Sequence, residues 1–125
     1  MSRILVVDDS MVIRKMINRS LEGSNHEVVQ AENGQEGLDH FMNDNFDLII
    51  TDINMPILNG FEFIEKLRKS NHAKKDLPII VVSTEFSDDV KAQGKSLGVN
   101  AWMVKPTDDK ILNEAVTVLI ARSQA

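Results

Sequence analysis

Ile4-Leu5-Val6-Val7-Asp8-Asp9-Ser10 is the stretch that decides how the chain reads. Four apolar residues in a row, rich in β-branched side chains, run straight into two acids. A run that is apolar at every position, not at alternate ones, fits a strand covered on both faces, and therefore a parallel sheet. Leu48–Ile50 and Ile79–Val82 repeat the pattern, while Val28-Val29 and Ala101–Val104 are weaker runs. Helical spacing fills the gaps. Val12, Ile13, Met16, Ile17 and Leu21 form one stripe, Leu38, Phe41 and Met42 a second, and Phe61, Ile64 and Leu67 a third. Ile111, Leu112, Ala115, Leu119 and Ile120 form another near the end. Asp88 to Leu97 predicts a thinner helix with Gly94 inside it, at a cost of ~1 kcal/mol against alanine. Strand and helix thus alternate five times, the pattern of a right-handed, doubly wound α/β sheet with helices on both faces.

Punctuation agrees with this periodicity. Asn33 with Glu36 has capping-box spacing, and Ser87 and Thr107 are expected to cap the last two helices. Asn59-Gly60 and Lys105-Pro106 are turn signals. Met11, Met16 and Met42 fall at helical positions and read as core filler. Phe86 is expected to pack in the core, with contact to a partner as the other reading, and the three histidines are expected at the surface.

With 125 residues and no repeat, linker or change of composition, residues 1–125 are expected to form one domain. A content of 42% hydrophobic and 26% charged residues is that of a globular chain. The absence of cysteine removes disulfides, thiolate metal sites and cysteine nucleophiles. No apolar run is long enough for a signal peptide or a membrane span, so a cytoplasmic location and no membrane partner are expected. A net charge of −5 argues against nucleic acid as a partner.

In a parallel sheet every strand ends at one edge, where ligands bind. Asp8 and Asp9 follow the first run, Asp52 the third, Ser83 and Thr84 the fourth, and Lys105 the fifth. Three carboxylates beside one lysine either raise one another's pKa or call for a cation. Without cysteine or paired histidines, an oxygen-loving ion such as Mg²⁺ fits better than zinc. An ionised carboxylate flanked by that ion and a lysine suits transient aspartyl phosphorylation.

These residues resemble the receiver domain of two-component response regulators. The resemblance rests on Asp8-Asp9-Ser10, on Ile49-Ile50-Thr51-Asp52-Ile53-Asn54-Met55-Pro56, on Asn59-Gly60, on Ser83 and on Lys105-Pro106, in order over nearly the whole chain. It is closest to the single-domain, CheY-like chemotaxis type. It implies a flavodoxin-like sheet of five parallel strands in the order 2-1-3-4-5 with five helices, acting as a signalling switch and not as an enzyme in the ordinary sense. By the resemblance, Asp52 accepts phosphate from a histidine kinase or phosphotransfer protein. Asp8, Asp9, Asp52 and the Asn54 main-chain carbonyl hold Mg²⁺, and Ser83 and Lys105 contact the phosphoryl group. The Lys105-Pro106 peptide is cis. Thr84 and Trp102 switch the face made by the fourth helix, fifth strand and fifth helix. Asn54 and Glu85 set the lifetime of the phosphoryl group. A flagellar motor switch protein is the implied target, a phosphatase is an implied further partner, and a monomer is the expected state. A place as relay intermediate or phosphate sink in another two-component pathway uses the same chemistry.

Two positions depart from the pattern: Trp102 stands where tyrosine or phenylalanine is usual, and Thr107 where phenylalanine is common. Simpler readings stand beside the functional ones. Asp9 also suits a helix cap, Lys105 a surface lysine lying along apolar residues, Trp102 an edge-strand aromatic, and Ser83 and Thr84 the satisfaction of backbone groups at a strand end. A flavodoxin-like electron carrier is disfavoured because Asp8 and Asp9 would repel a flavin phosphate. An aspartate-nucleophile phosphatase would need an acid where Asn54 stands. A phosphate-independent binding module is disfavoured only by the acidic set being complete. Gly94-Lys95-Ser96-Leu97-Gly98 lacks the spacing and the position of a phosphate loop.

Overall fold

The computed structural model describes residues 2–124. Strands β1 (Ser2–Val7), β2 (His26–Ala31), β3 (Leu48–Thr51), β4 (Ile79–Ser83) and β5 (Ala101–Val104) alternate with helices α1 (Met11–Ser20), α2 (Gly34–Met42), α3 (Gly60–Arg68), α4 (Asp88–Ser96) and α5 (Asp109–Ser123). All neighbouring strands pair in parallel, in the order β2-β1-β3-β4-β5. The fold is therefore the doubly wound one expected. Among the described residues no helix is long and apolar enough to cross a membrane.

The continuous apolar runs are the three central strands, and β1, β3 and β4 divide their side chains between two cores. Leu5, Val7, Ile49, Ile79 and Val81 face Phe41, Phe63, Ile64 and Leu67 of α2 and α3. Ile4, Val6, Leu48, Ile50, Ile80 and Val82 face Ile17, Leu112, Val116 and Ile120 of α1 and α5, with Leu21 just beyond α1. Helices on both faces explain why no alternation of polar and apolar residues is visible in these strands. The weaker runs, β2 and β5, are the half-covered edges.

Several expectations need correction. Met11, Met16 and Met42 are exposed, not core, because Ile17 on α1, Leu21 at its C-cap and Phe41 on α2 already turn their helices' buried faces inward. Ile111 also points outward; Leu112, Val116 and Ile120 carry the buried stripe of α5. Asp108, not Thr107, caps α5, its Oδ1 accepting from Lys110 N and Ile111 N at 2.9 and 3.1 Å. A carboxylate is well suited to that end of a helix dipole. Asn33 accepts from Glu36 N, but the reciprocal capping box is at Asn59 and Glu62. None of the three histidines is fully exposed. His72 lies against Phe41 with ring centroids 4.4 Å apart, and burial lowers the pKa of His26, whose Nδ1 has no partner.

Arg68, in the last turn of α3, makes no ion pair among the described residues. Its guanidinium donates to the carbonyls of Lys75, Leu77, Leu97 and Gly98 at 2.6 to 3.1 Å. It thereby fastens the loop before β4 to the end of α4.

Asn59-Gly60 does more than turn the chain. Gly60 N donates to Ile53 O at 2.8 Å, and a Cβ at Gly60 would lie 2.2 Å from Asp52 O. Both atoms in that clash are fixed, one to the helix start and one to the main chain after β3. Gly60→Ala is expected to lower the unfolding free energy by about 2 kcal/mol or more, the cost of overpacking against backbone. Urea denaturation checks this, and a loss within about 0.5 kcal/mol, the range of a neutral surface change, would contradict it.

Candidate functional site

The carboxyl edge of the sheet gathers the polar residues that follow β1, β3, β4 and β5. The Asp8 N–H donates to Ala31 O, and the Asp52 N–H donates to Val7 O, so each strand pairing continues one residue into the site. Asp8 is 1% exposed and Asp52 7%, while Asp9 is at the surface. One carboxylate oxygen from each of the three lies within 4.8 Å of the others.

Lys105 reaches in from the end of β5. Its Nζ is 2.7 Å from Asp52 Oδ2 and 2.9 Å from Asp8 Oδ2. Asp52 Oδ1 accepts from Ile53 N at 2.6 Å, and Asp8 Oδ1 from Ser10 N at 2.9 Å. Asp8 Oδ2 is buried without a hydrogen bond of good geometry, so the ammonium serves it as a charge only. Burial raises the Asp8 pKa more than the Ser10 N–H and Lys105 lower it. Burial pulls Lys105 the other way, but the carboxylates of Asp52 and Asp8 outweigh it and leave its pKa raised. Together, these groups leave the pocket short of positive charge. Lys105 is thus an inward-reaching ion-pair partner, not a lysine lying along the surface.

Ser83 is fully buried at the end of β4, where its Oγ accepts from Glu85 N at 3.2 Å. Of the two hydroxyls read as satisfying backbone groups at this strand end, Ser83 is the one that does so. Thr84 is exposed, as is Asn54. The Lys105–Pro106 peptide is cis, and Lys105 N donates to Ser83 O at 2.9 Å, joining the ends of β5 and β4. Asp9 does not cap α1; Ser10 does, its Oγ accepting from Ile13 N.

Trp102 is half-buried on β5. Its indole N–H donates to Glu85 O at 2.7 Å, and its ring lies 6.3 Å from that of Phe61. Gly94 is the one buried residue of α4, and a Cβ there would sit 2.8 Å from Trp102 Cζ3. The glycine that weakened the helix on paper makes room for the indole.

A family model for the response regulator receiver domain matches residues 4–117. The chain belongs to that family. This receiver is 42% identical over 113 residues to the sensor kinase/phosphatase CqsS of Vibrio cholerae, covering 90% of this chain but only 16% of that protein. It is 38% identical over 114 residues to a chemotaxis protein CheY homologue of Campylobacter jejuni, covering 90% and 87% of the two chains. A solved structure of the Vibrio cholerae chemotaxis protein CheY4 matches with a TM-score of 0.88 at 37% identity, covering 95% of this chain and 98% of that one. The receiver is CheY-like in sequence and in fold.

Sequence reasoning missed residues around the site whose roles depend on tertiary contacts. Arg14 donates to Asp8 O at 2.6 Å, a contact that no spacing rule suggests. Ile57, in the loop after Asp52, has φ +71° and is 80% exposed, an uncommon conformation for a β-branched residue. Phe86 is 61% exposed, so the reading that had it packed in the core does not hold.

Removing a mid-helix glycine ordinarily stabilises by ~1 kcal/mol. In this receiver Gly94→Ala is expected to lower stability, because the indole is held by its bond to Glu85. In a Trp102→Phe background, which lacks Cζ3, the same change is expected to raise it. A double-mutant cycle by urea denaturation reads the coupling, and equal effects in both backgrounds would show that glycine and ring are independent.

Proposed function

We propose that the chain is a phosphorylation-activated switch in which Asp52 accepts a phosphoryl group from a histidine kinase or phosphotransfer protein. The observation that carries this is Lys105 Nζ lying between Asp52 and Asp8 at the carboxyl edge, with Asp9 close enough to complete an acidic triad. An Asp52 carboxylate oxygen attacks phosphorus as the P–N bond of the donor phosphohistidine breaks, and the imidazole leaves with the bonding pair. Lys105 moves from Asp52 Oδ2 to a phosphoryl oxygen, and the Ser83 hydroxyl donates to another. Water later attacks the same phosphorus, returning the Asp52 carboxylate and releasing inorganic phosphate. Asn54 and Glu85 flank that approach and set its rate.

The donor set fits a hard cation. Three carboxylate oxygens lie within 4.8 Å of one another, and Asp8 Oδ2 is buried with no hydrogen bond. Asp8, Asp9, Asp52 and the Asn54 main-chain carbonyl are the ligands we assign to Mg²⁺. When bound, this ion neutralises negative charge on the phosphoryl oxygens.

Phosphorylation adds ~1.5–2 negative charges beside Lys105 and Ser83. Thr84 turns toward the phosphoryl group, and the loop whose Glu85 carbonyl holds the Trp102 indole moves with it. The output is a changed face of α4, β5 and α5. The relatives named for chemotaxis support a flagellar motor switch protein as the target of a single monomeric domain in the cytoplasm. Similarity to part of a sensor kinase/phosphatase supports a second reading, as a phosphorelay acceptor in another pathway.

Intact-mass measurement after incubation with Mg²⁺ and acetyl phosphate tests the chemistry. One labile phosphoryl adduct is expected on the parent, none with EDTA, and none on Asp52→Asn. A folded, Mg²⁺-binding parent that takes up no phosphate would overturn the proposal.

A further inference from the structure

The main-chain carbonyl of Asp8 is where β1 leaves the sheet. The last β1–β3 rung runs from Asp52 N to Val7 O, and on the other side Asp8 gives its N–H to Ala31 O. The Asp8 carbonyl lies beyond both ladders. A part-buried carbonyl without a donor is costly, and here a side chain supplies one. Arg14 Nη1 donates to Asp8 O at 2.6 Å, and Arg14 Nε donates to Gln30 Oε1 of β2 at 3.3 Å. Arg14 is itself anchored in the first turn of α1, where its N–H donates to Ser10 O at 3.0 Å. One guanidinium therefore joins the start of α1, the end of β1 and the edge strand β2.

Its choice of partners is unusual. Arg14 grips the backbone of a segment carrying two carboxylates, yet among the described residues it makes no ion pair with any acid. Lys105 already occupies Asp8 Oδ2 and Asp52 Oδ2. A second cation on the carboxylates would compete with a metal ion for the same oxygens. Arg14 fixes the peptide and leaves the oxygens open. The planar fork of arginine suits two separate acceptors in a way that an ammonium does not.

We propose that Arg14 is a positioning residue for the acidic pair, holding the Asp8–Asp9 segment in the geometry that binds a divalent cation. The proposal rests on the receiver reading above for the identity of that cation, Mg²⁺. Charge and position predict opposite results for the same substitution. Coulomb attraction alone makes a site bind a cation more tightly once a neighbouring positive charge is removed. Loss of positioning makes it bind more weakly, and outer-shell partners of metal ligands typically contribute ~10–100-fold in affinity.

The test is titration calorimetry of the full chain with Mg²⁺ alone, on the parent, Arg14→Met and Arg14→Lys, with amide hydrogen exchange in metal-free buffer. The proposal expects Arg14→Met to weaken Mg²⁺ binding about tenfold, with Arg14→Lys in between. It also expects faster exchange at the Asp8 and Ser10 amides, with α5 amides unchanged. Binding by Arg14→Met as tight as the parent's, or tighter, would overturn it. If the parent itself binds no Mg²⁺, it is the receiver reading that fails. Exchange then decides the positioning role: faster Asp8 and Ser10 amides uphold it, and unchanged ones overturn it.

Discussion

Asp8 and Asp52 carry negative charge into a place that water scarcely reaches, and Lys105 is what allows both to stay there. Removing charges from water costs several kcal/mol per ion, which mutual attraction offsets only when the geometry is good. One ammonium at 2.7 and 2.9 Å from two carboxylates is good geometry but incomplete compensation. Much of the carboxyl edge is arranged around that imbalance. Ser10 N and Ile53 N point into the remaining lone pairs, and Ser83 O holds the Lys105 backbone in register. A site so built is held together by the fold yet unfinished electrically, which is what the proposed uptake of a cation and then a phosphoryl group requires.

The sheet was legible because each of its three central strands holds an unbroken apolar run, Ile4–Val7, Leu48–Ile50 and Ile79–Val82. A parallel sheet with helices on both faces covers Ile4 and Leu5, and Ile49 and Ile50, on opposite faces at once. Helix phase was less legible. Ile111 and Leu112 are both large and apolar, and only packing on the sheet turns Leu112 in and Ile111 out. The methionines misled for the same reason: helical spacing marks a stripe but not its centre. Thr107 and Asp108 are both good caps, and what decides between them is where the helix begins, at Asp109.

The site divides in a similar way. Asp8, Asp9, Asp52, Ser83 and Lys105 were readable because each ends a strand, and parallel strands end together. Arg14, Gly60 and Gly94 were not, because what they do lies in contacts with Asp8 O, Asp52 O and the Trp102 ring, far from them in sequence or across a turn. Gly94 is the clearest case. As a helix residue it is a defect, and as a neighbour of Trp102 it is the space the indole occupies.

α4 is held differently at its two ends. At the start, Ser87 accepts from Val90 N across the first turn, after a loop of mostly exposed residues. At the far end, the Arg68 guanidinium clasps the carbonyls of Leu97 and Gly98 together with those of Lys75 and Leu77. A rod fixed at one end does not slide; it pivots. With nine residues at ~1.5 Å each, the rod is about 13 Å long, so a 1 Å shift at its start swings it by about 4°. Under the proposed switch, what this helix would pass to the outside of the protein is an angle, not a displacement.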